Sequence, residues 1–253
     1  MPSFDLTGRT AFITGGGGGL GSMACRTLAN AGAAVAVVAR SLDKCEAVAQ
    51  AVREHGGRAL AIQADVLDAA QITAAMDRCE QELGPIDILI NNAGITSPKR
   101  LLDLSEEEWD RIVDVSLKGA FLCSKTVAPR MIERGRGRII NMGSILAARA
   151  LARRSAYSAA KAGLVNFTRA CAIELGPHGI TVNALGPTVI VTDLNRDMVA
   201  KHPQYYQAII DRTPLGRLGE ISDLEGPLLF LASDAAGFVN GQTLYVDGGY
   251  SAS

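Results

Sequence analysis

Short apolar runs alternate with longer amphipathic segments along the chain, and this alternation limits the possible folds more than any other feature. Five runs have the composition of strands that are covered on both faces: TAFIT at Thr10, AVAVVA at Val35, RALAIQ at Leu60, IDILI at Ile88 and GRIINM at Ile140. Near-continuous apolar strands are typical of parallel sheets, because helices cover both faces of such sheets. We therefore predict an α/β fold with a doubly wound, mostly parallel sheet.

Two of the predicted helices have recognisable starts. Asp68 with Gln71, and Ser105 with Glu108, fit the spacing of a capping box, in which the N-cap residue and the residue three positions on exchange hydrogen bonds. Asp replaces the usual Ser or Thr in the first pair. Both positions predict that a helix begins there.

The chain has no linker, low-complexity tract or internal repeat, so we expect a single domain over residues 1–253. Residues 189–218 depart from the alternation, with helical pieces broken by Pro203 and Pro214 and no obvious strand. An insertion after the carboxyl end of a strand would lie over the ligand crevice of such a fold. The insertion is therefore expected to be a lid over the substrate or, alternatively, an oligomer contact.

Charge and hydropathy argue against two classes of partner. The 25 basic and 26 acidic residues are balanced, which does not favour nucleic acid. No uninterrupted apolar run reaches the roughly 18 residues that span a bilayer. The first residues also lack the pattern of a secretory signal. We expect a cytoplasmic protein that binds neither a membrane nor a nucleic acid.

The cysteines and histidines do not predict a metal site. The 5 cysteines show no C-x-x-C spacing, which fits reduced thiols better than a disulfide framework or a zinc site. His55, His178 and His202 stand beside Gly or Pro, in expected surface turns. We expect no metal.

A glycine-rich segment, TGGGGGLG from Thr14 to Gly21, follows the first predicted strand and opens a helix. Glycines let the backbone turn tightly and approach a pyrophosphate, whose charge then faces a helix N-terminus. The run fits more than one spacing, G-x-x-x-G-x-G from Gly15 or G-x-G-x-x-G from Gly16. Between a strand and a helix, it predicts the dinucleotide site of a Rossmann-type fold.

The end of the second predicted strand indicates which dinucleotide binds. NAD sites usually carry an acidic residue there, about 20 residues on, for the ribose 2′-hydroxyl. Ala39 and Arg40 occupy that place, and Asp43 falls too late. Arg40 can pair with a 2′-phosphate, and Ser41 can add a hydrogen bond. We predict a preference for NADP(H), with NAD possible; the alternative is a solvated arginine.

Further motifs follow in a fixed order: AD at residues 64–65, NNAG at 91–94, the serine of NMGS, YSAAK and VNALGP. Together with the glycine loop, they resemble the short-chain dehydrogenase/reductase family over essentially the whole chain. The resemblance implies reversible NADP(H)-linked reduction of a ketone to a secondary alcohol, commonly by a homotetramer. A catalytically weak dinucleotide-binding regulatory protein is the rival class.

The C-terminal half bears on the substrate. RTPLGRLGE and FVNGQTLYVDGG resemble the gluconate 5-dehydrogenase-like branch, which fits a sugar acid. Such segments also occur in 3-oxoacyl-carrier-protein reductases, so both substrate classes stay open.

The resemblance also implies roles for individual residues. Ser144 would hydrogen-bond the substrate oxygen, Tyr157 would exchange its proton, and Lys161 would bind the nicotinamide ribose. Ser116 would belong to the proton relay. The residues implied to contact the cofactor are Gly15, Gly17, Gly18, Gly19, Leu20, Gly21, Arg40, Ser41, Asp65, Val66, Asn92, Ala93, Gly94, Tyr157, Lys161, Pro187, Val189 and Thr192.

The spacing of Tyr157 and Lys161 supports their roles independently, because positions four apart share a helix face. A positive charge about 4 Å away at an effective dielectric near 20 is worth roughly 4 kcal/mol. This would lower the pKa of the tyrosine from near 10 by up to about 3. We expect Lys161 to lower the pKa of Tyr157. Taken alone, such a pair is more often surface chemistry, and Ser144 alone fits a helix cap.

Three positions depart from the family pattern. Ser116 stands where an asparagine commonly supports a helix kink and an ordered water that connects the lysine to solvent. We expect Ser116 to bond the local backbone and bend the helix, with slowed but not abolished turnover. Thr188 replaces the frequent glycine after Pro187, so that turn is expected to be reshaped. Gly18 replaces a frequent Lys or Arg, so the preference for NADP rests on Arg40.

Three arginines, Arg149, Arg153 and Arg154, lie between Ser144 and Tyr157 in a segment that should border the substrate mouth. Guanidinium groups can attract a carboxylate or phosphate. The alternative is that they are solvated or lie at a subunit contact. The expected partner is a small-molecule carbonyl or alcohol, with an anionic group as one option.

Overall fold

A seven-stranded parallel sheet forms the centre of the molecule. The computed structural model describes residues 3–193 and 195–252. The sheet has the order β3-β2-β1-β4-β5-β6-β9, and every neighbouring pair is parallel. Its strands are β1 (Thr10–Thr14), β2 (Ala34–Ala39), β3 (Ala59–Gln63), β4 (Ile86–Asn91), β5 (Gly137–Met142), β6 (Ile180–Pro187) and β9 (Thr243–Val246). The predicted fold class and all five predicted strands are confirmed.

Helices cover both faces of the sheet. They are α1 (Gly19–Asn30), α2 (Leu42–Glu54), α3 (Ala69–Leu83), α4 (Glu106–Val113), α5 (Gly119–Arg134), α6 (Ser155–Leu175), α7 (Arg196–Lys201), α8 (Pro203–Asp211) and α9 (Ser222–Ala232). Successive strand residues face opposite sides. Ile13 of β1 therefore packs in a core with α1, α2 and α9. Its neighbour Phe12 packs in a second core with α3 and α5. Burial on both faces explains why the strands are continuously apolar.

The strand order reverses between β1 and β4. β2 and β3 lie on one side of β1, whereas β4, β5, β6 and β9 lie on the other. Open α/β sheets bind ligands in the crevice at such a reversal, at the carboxyl ends of the strands. β1 ends at Thr14, before the glycine loop, and β4 ends at Asn91, in NNAG. The two motifs therefore meet at this crevice.

The structure confirms one predicted capping box and changes the other. Ser105 and Glu108 exchange both hydrogen bonds at the start of α4. Asp68 caps α3, but the Gln71 side-chain oxygen accepts from the backbone N–H of Asp65 at 3.0 Å. The N–H of Asp68 is not free for Gln71, because it donates to the Asp65 carbonyl. The cap of α3 thus also anchors the loop after β3.

The insertion after β6 contains α7, α8 and a short strand that the sequence pattern did not indicate. β7 (Ile190–Val191) pairs in parallel with β8 (Gly219–Glu220). Two residues carry no periodicity, so the pattern could not reveal this strand. The pairing joins the two ends of the insertion, whose residue Leu194 lies outside the described residues.

Over the part of the chain that the structure describes, no helix is long and apolar enough to cross a membrane. All five cysteines are free thiols, and four of them are buried.

Candidate active site

Thr14 and Asn92 join the ends of β1 and β4 at the crevice. The Asn92 Nδ2 atom donates to the carbonyl oxygens of Thr14 and Gly15, both at 3.1 Å. The Thr14 Oγ1 atom accepts from the backbone N–H groups of Asn92 at 3.0 Å and Ala93 at 3.2 Å. These four hydrogen bonds hold the glycine loop against NNAG along one side of the crevice. Sequence reasoning identified Asn92 and Ala93 but missed Thr14, because the last residue of an apolar strand resembles core.

The glycine loop packs so closely against NNAG and α1 that two of its positions have no space for a side chain. Gly15 has φ +64°, and a Cβ atom there would lie 2.8 Å from Asn92 Nδ2. A Cβ atom on Gly21 would lie 2.1 Å from the Gly15 carbonyl oxygen. The predicted residues Gly15, Gly17, Gly18, Gly19, Leu20 and Gly21 all lie on this loop or on the first turn of α1.

The N-terminus of α1 faces no competing negative charge from its own helix. Gly18 is the N-cap and provides no side-chain hydrogen bond, and the first turn contains no acidic residue. Uncapped N–H groups at a helix N-terminus favour an anion. The loop therefore fits the pyrophosphate of a dinucleotide.

Basic residues lie where the second strand ends. Arg40 directly follows β2 and is exposed, and Ser41 is the N-cap of α2 without a side-chain capping bond. Asp43 lies in the first turn of α2, beyond the end of β2. Sequence reasoning missed Lys44, which lies beside the glycine loop: a Cβ atom on Gly17 would lie 3.0 Å from the Cβ atom of Lys44. No motif marks Lys44, because its position on a helix face became visible only in the fold.

Asp65 and Val66 lie in the loop between β3 and α3. The Asp65 Oδ1 atom accepts from the backbone N–H of Leu67 at 3.0 Å. Val66 is buried against the start of α5, where a Cβ atom on Gly119 would lie 2.8 Å from its Cγ2 atom. The loop is thus held in a defined position after the third strand.

Ser144 follows β5 and is 7 % exposed. Its Oγ atom accepts from the backbone N–H of Leu146 at 3.1 Å, so Ser144 does cap a short helical turn. Its side chain also forms a hydrogen bond with Tyr157. The cap thus orients the hydroxyl while the hydroxyl remains in contact with the phenol.

The pKa of Tyr157 shifts in the direction opposite to the one predicted. Burial raises the pKa of the phenol above its ordinary value, while the hydrogen bond with Ser144 and the charge of Arg154 lower it. Lys161 Nζ lies 5.6 Å from the centroid of the Tyr157 ring. The ammonium is turned to the carbonyl of Met142 instead, so desolvation of the phenol dominates.

Lys161 is buried, with 3 % exposure, and its Nζ atom donates to the Met142 carbonyl at 2.6 Å. Burial lowers the pKa of Lys161 to about 8. A Cβ atom on Gly94 would lie 3.6 Å from both Lys161 Nζ and Ser116 Oγ. Gly94, Lys161 and Ser116 therefore converge on one small space.

Ser116 lies in a π-helical turn, Asp114–Lys118, between α4 and α5. Its hydroxyl is buried and has no hydrogen-bond partner among the residues that the structure describes. The expected distortion of the helix is present, but the expected bond of Ser116 to the local backbone is not. The hydroxyl lies instead beside Gly94, in the same small space as Lys161 Nζ.

Buried amides anchor α6 to the sheet. The Nδ2 atom of Asn91 donates to Asn141 Oδ1 at 2.8 Å, and the Nδ2 atom of Asn141 donates to Thr168 Oγ1 at 2.8 Å. Thr168 belongs to α6, the helix that carries Tyr157 and Lys161. This chain fixes that helix relative to β4 and β5.

The insertion packs beside the tyrosine. Ile209 and Tyr206 of α8 belong to an apolar cluster that Tyr157 and Val189 also contact. Thr192 is buried, and its N–H donates to the Asn195 side chain at 2.8 Å.

The segment after β6 also bears on the predicted turn. Pro187 ends β6, and the N–H of Thr188 donates to the Val246 carbonyl at 3.3 Å. Among the described non-glycine residues, Arg153 is the one with positive φ, so Thr188 needs no left-handed conformation. The turn is accommodated by continued pairing with β9.

The structure separates the three arginines. Arg149 donates to the carbonyl of Ser251, near the C-terminus. Arg153 is exposed and has φ +66°. Arg154 donates to Thr96 Oγ1 at 2.6 Å, in the loop after β4.

In residues 3–193 and 195–252, no cluster of three or more His, Cys, Asp or Glu side chains is placed to hold a metal ion.

Known proteins of similar sequence include several oxidoreductases. A family model described as "Enoyl-(Acyl carrier protein) reductase" matches residues 16–251. The chain is 38% identical over 242 residues to a 3-oxoacyl-[acyl-carrier-protein] reductase of Staphylococcus aureus, covering 95% of this chain and 97% of that protein. It is 42% identical over 246 residues to the cis-4-hydroxycyclohexanecarboxylate dehydrogenase of Sinomonas cyclohexanicum, covering 96% and 97%.

A solved structure is equally similar. The gluconate 5-dehydrogenase of Burkholderia cenocepacia, in complex with NADP and tartrate, matches with a TM-score of 0.94 and 39% identity. The match covers 99% of this chain and 98% of that one.

Proposed function

The chain belongs to the short-chain dehydrogenase/reductase family, and from this we propose that it reversibly reduces a ketone to a secondary alcohol with NADP(H), on a small polar substrate such as a sugar acid. As a family member it is an NAD(P)-dependent oxidoreductase that acts on alcohol or ketone groups. The observation that carries the proposal is the meeting of Ser144, Tyr157 and Lys161 beside Gly94 of NNAG, the motif that is bonded to the glycine loop.

The crevice residues fit a nicotinamide dinucleotide. When bound, NADP(H) supplies the hydride in reduction and accepts it in oxidation. The glycine loop would hold the pyrophosphate, because the N-terminus of α1 has no side-chain cap and no acidic residue in its first turn. Arg40, Ser41 and Lys44 would hold the 2′-phosphate, which supports NADP over NAD.

Ser144 and Tyr157 would act on the substrate oxygen. Ser144 donates a hydrogen bond to it, and Tyr157 gives it a proton in reduction and takes one in oxidation. The raised pKa of Tyr157 keeps the phenol protonated near neutral pH, so the acid form is ready for reduction.

Lys161 would stabilise the charge left on the tyrosine. With a pKa of about 8, the side chain is mostly an ammonium near neutral pH. Its Nζ atom lies over the Tyr157 ring. The positive charge therefore favours the phenolate that remains after proton transfer.

Two substrate classes have support among the relatives. The names of the Sinomonas and Burkholderia enzymes both contain a hydroxy acid, which supports a small hydroxy or keto acid. The Staphylococcus relative supports the alternative, a 3-oxoacyl thioester. We favour the acid, because Arg154 places a positive charge beside Tyr157.

A panel of substrates tests the proposal by NADPH absorbance. It contains gluconate, cis-4-hydroxycyclohexanecarboxylate and acetoacetate, the carboxamide of each, and an acetoacetyl thioester. We expect turnover of at least one acid, and Tyr157→Phe should lower kcat by about 10²- to 10⁴-fold. NADPH binding, followed by fluorescence, should stay unchanged.

Three other results of this experiment would point to a different mechanism or function. Wild-type rates in Tyr157→Phe would contradict the mechanism. Selective turnover of the thioester would support the acyl reductase. NADPH binding without any turnover would support the regulatory protein.

A homotetramer is a prediction from the family likeness, and a cytoplasmic location is a prediction from the spacing of the cysteines. Exposed apolar side chains such as Leu101, Leu102 and Ile173 are candidate contacts for another copy of the chain.

A further inference from the structure

Arg154 bridges two elements that border the candidate active site. It is the N-cap of α6, three residues before Tyr157. Its Nη1 atom donates to Thr96 Oγ1 at 2.6 Å. Thr96 lies two residues after Gly94, where a Cβ atom would be 3.6 Å from Lys161 Nζ. The guanidinium therefore spans the gap between α6 and the loop after β4, next to the Tyr157–Lys161 pair.

The charge of Arg154 also acts on a residue of the insertion. Burial raises the pKa values of Tyr157 and Tyr206, and the positive charge of Arg154 opposes both shifts. Tyr206 belongs to α8, and it packs on the same apolar cluster as Tyr157. The charge of Arg154 thus acts on a tyrosine of α6 and on a tyrosine of the insertion, which border the candidate active site.

Among the described residues, no acidic side chain pairs with the guanidinium of Arg154. Its one side-chain hydrogen bond to these residues is the bond to Thr96. By contrast, the nearby Lys99 is paired with Glu108 at 2.7 Å. A guanidinium has several N–H donors in a planar fork. Most of those of Arg154 are therefore available to a ligand in the mouth.

We infer that Arg154 binds a carboxylate of the substrate and makes the enzyme select hydroxy and keto acids over neutral analogues. The planar fork matches a carboxylate with two parallel hydrogen bonds. Thr96 holds the guanidinium in place beforehand, which reduces the entropy lost on binding. The inference rests on the proposed function, because it names the substrate class of the same site.

Matched pairs of substrates and variants test this assignment. Gluconate and gluconamide, and acetoacetate and acetoacetamide, differ at one group, which is a charged carboxylate in the acid and a neutral carboxamide of similar size in the amide. We expect Arg154→Gln to raise the KM of the acids by about 10- to 100-fold, with little change for the amides. Arg154→Lys keeps the charge but loses the fork, so its effect should be intermediate. Arg153→Gln removes the neighbouring charge and should change the acid-to-amide ratio by less than about twofold.

A pH profile separates this role from a purely structural one. Arg154 favours the phenolate form of Tyr157, so Arg154→Gln should move to higher pH the alkaline limb that Tyr157, and not Lys161, sets in kcat/KM for reduction of acetoacetamide. A variant that only disturbs packing would lower the rate without moving that limb.

Two results would overturn the inference: an unchanged acid-to-amide ratio in Arg154→Gln, or an equal loss of selectivity in Arg153→Gln. If wild-type enzyme turns over none of the compounds, the proposed function fails instead. Calorimetric titration of gluconate into the enzyme–NADPH complex, with wild type and Arg154→Gln, then decides carboxylate binding by itself. Equal affinities would reject it, and weaker binding by the variant would support it.

Discussion

At the scale of single residues, Lys161 shows how the site works against stability. Its ammonium is 3 % exposed and donates to the Met142 carbonyl. Removing a charge from water is costly unless a counter-charge lies close, and one carbonyl replaces only part of the lost hydration. This cost appears as the lowered pKa of Lys161, about 8.

Replacing Lys161 should therefore stabilise the fold while abolishing turnover. The pKa of lysine is near 10.4 in an unfolded chain and about 8 in this fold. Below pH 8 both states are charged, and the native state bears the full cost. As pH rises from 8 towards 10.4, the unfolded state binds more protons, so the stability of wild type rises relative to the variant. Lys161→Met should be more stable near pH 7, by about 1–3 kcal/mol, and the difference should shrink by about pH 9.5.

Urea unfolding at both pH values measures this difference. Lys201→Met, which removes an exposed ammonium on α7, is the control and should show no such pH-dependent gain. A constant loss of stability in Lys161→Met at both values would mean that the ammonium stabilises the native state.

At the scale of elements, the π-helical turn Asp114–Lys118 links α4 to α5 and delivers Ser116 to the site. The turn widens the helix by one residue and directs a short side chain inwards. The Ser116 hydroxyl comes close to the space beside Gly94 and Lys161 without finding a partner among the described residues. A longer side chain with two donors would reach further into that space.

Ser116→Asn is accordingly expected to raise kcat, by about tenfold or less. The amide can order a water beside Lys161 and so speed the exchange of protons with solvent. Steady-state rates on the best substrate, with NADPH affinity as the fold check, measure the effect. Ser116→Ala is the matched variant: it removes the hydroxyl without adding an amide, so it should not show the gain of Ser116→Asn. An unchanged rate in Ser116→Asn would show that proton exchange does not limit turnover.

At the scale of the whole molecule, the reversal of strand order assembles the site from distant segments. Residues of the glycine loop, NNAG, β5 and α6 meet at one edge of the sheet. A dinucleotide in this crevice would contact both halves of the sheet. Binding should therefore stabilise the entire domain rather than one loop.

NADPH should raise the free energy of unfolding by about 2.7 kcal/mol at 100 times its Kd. For a domain of this size, this corresponds to a rise in Tm of about 5–11 °C. The same concentration of NADH should give a smaller rise, because Arg40 favours a 2′-phosphate. In Arg40→Asp, NADH should become the better stabiliser.

Scanning fluorimetry checks this order of effects. Arg58→Asp, which changes an exposed arginine just before β3 at the opposite end of the sheet, should keep the wild-type order. Equal shifts with both dinucleotides in wild type would contradict the proposed preference for NADP.

The sequence by itself determined the layers of the fold and the positions of the motifs. Strands buried on both faces need apolar residues at every position, and this pattern is local, so β1 to β5 were predictable. The glycines at the crevice were predictable for a similar reason, because a run of residues without side chains is a local feature of the sequence. The meeting of Ser144 with Tyr157 was implied only by a family likeness.

Only the tertiary structure decided what surrounds each group. It brought Lys44 to the glycine loop and Thr96 to Arg154, and neither pair is close in sequence. It also reversed the predicted pKa shift of Tyr157, because desolvation depends on everything packed around the phenol and not on its spacing from Lys161. Periodicity records which face of an element is buried, whereas charge and contact across elements arise only once the elements have packed.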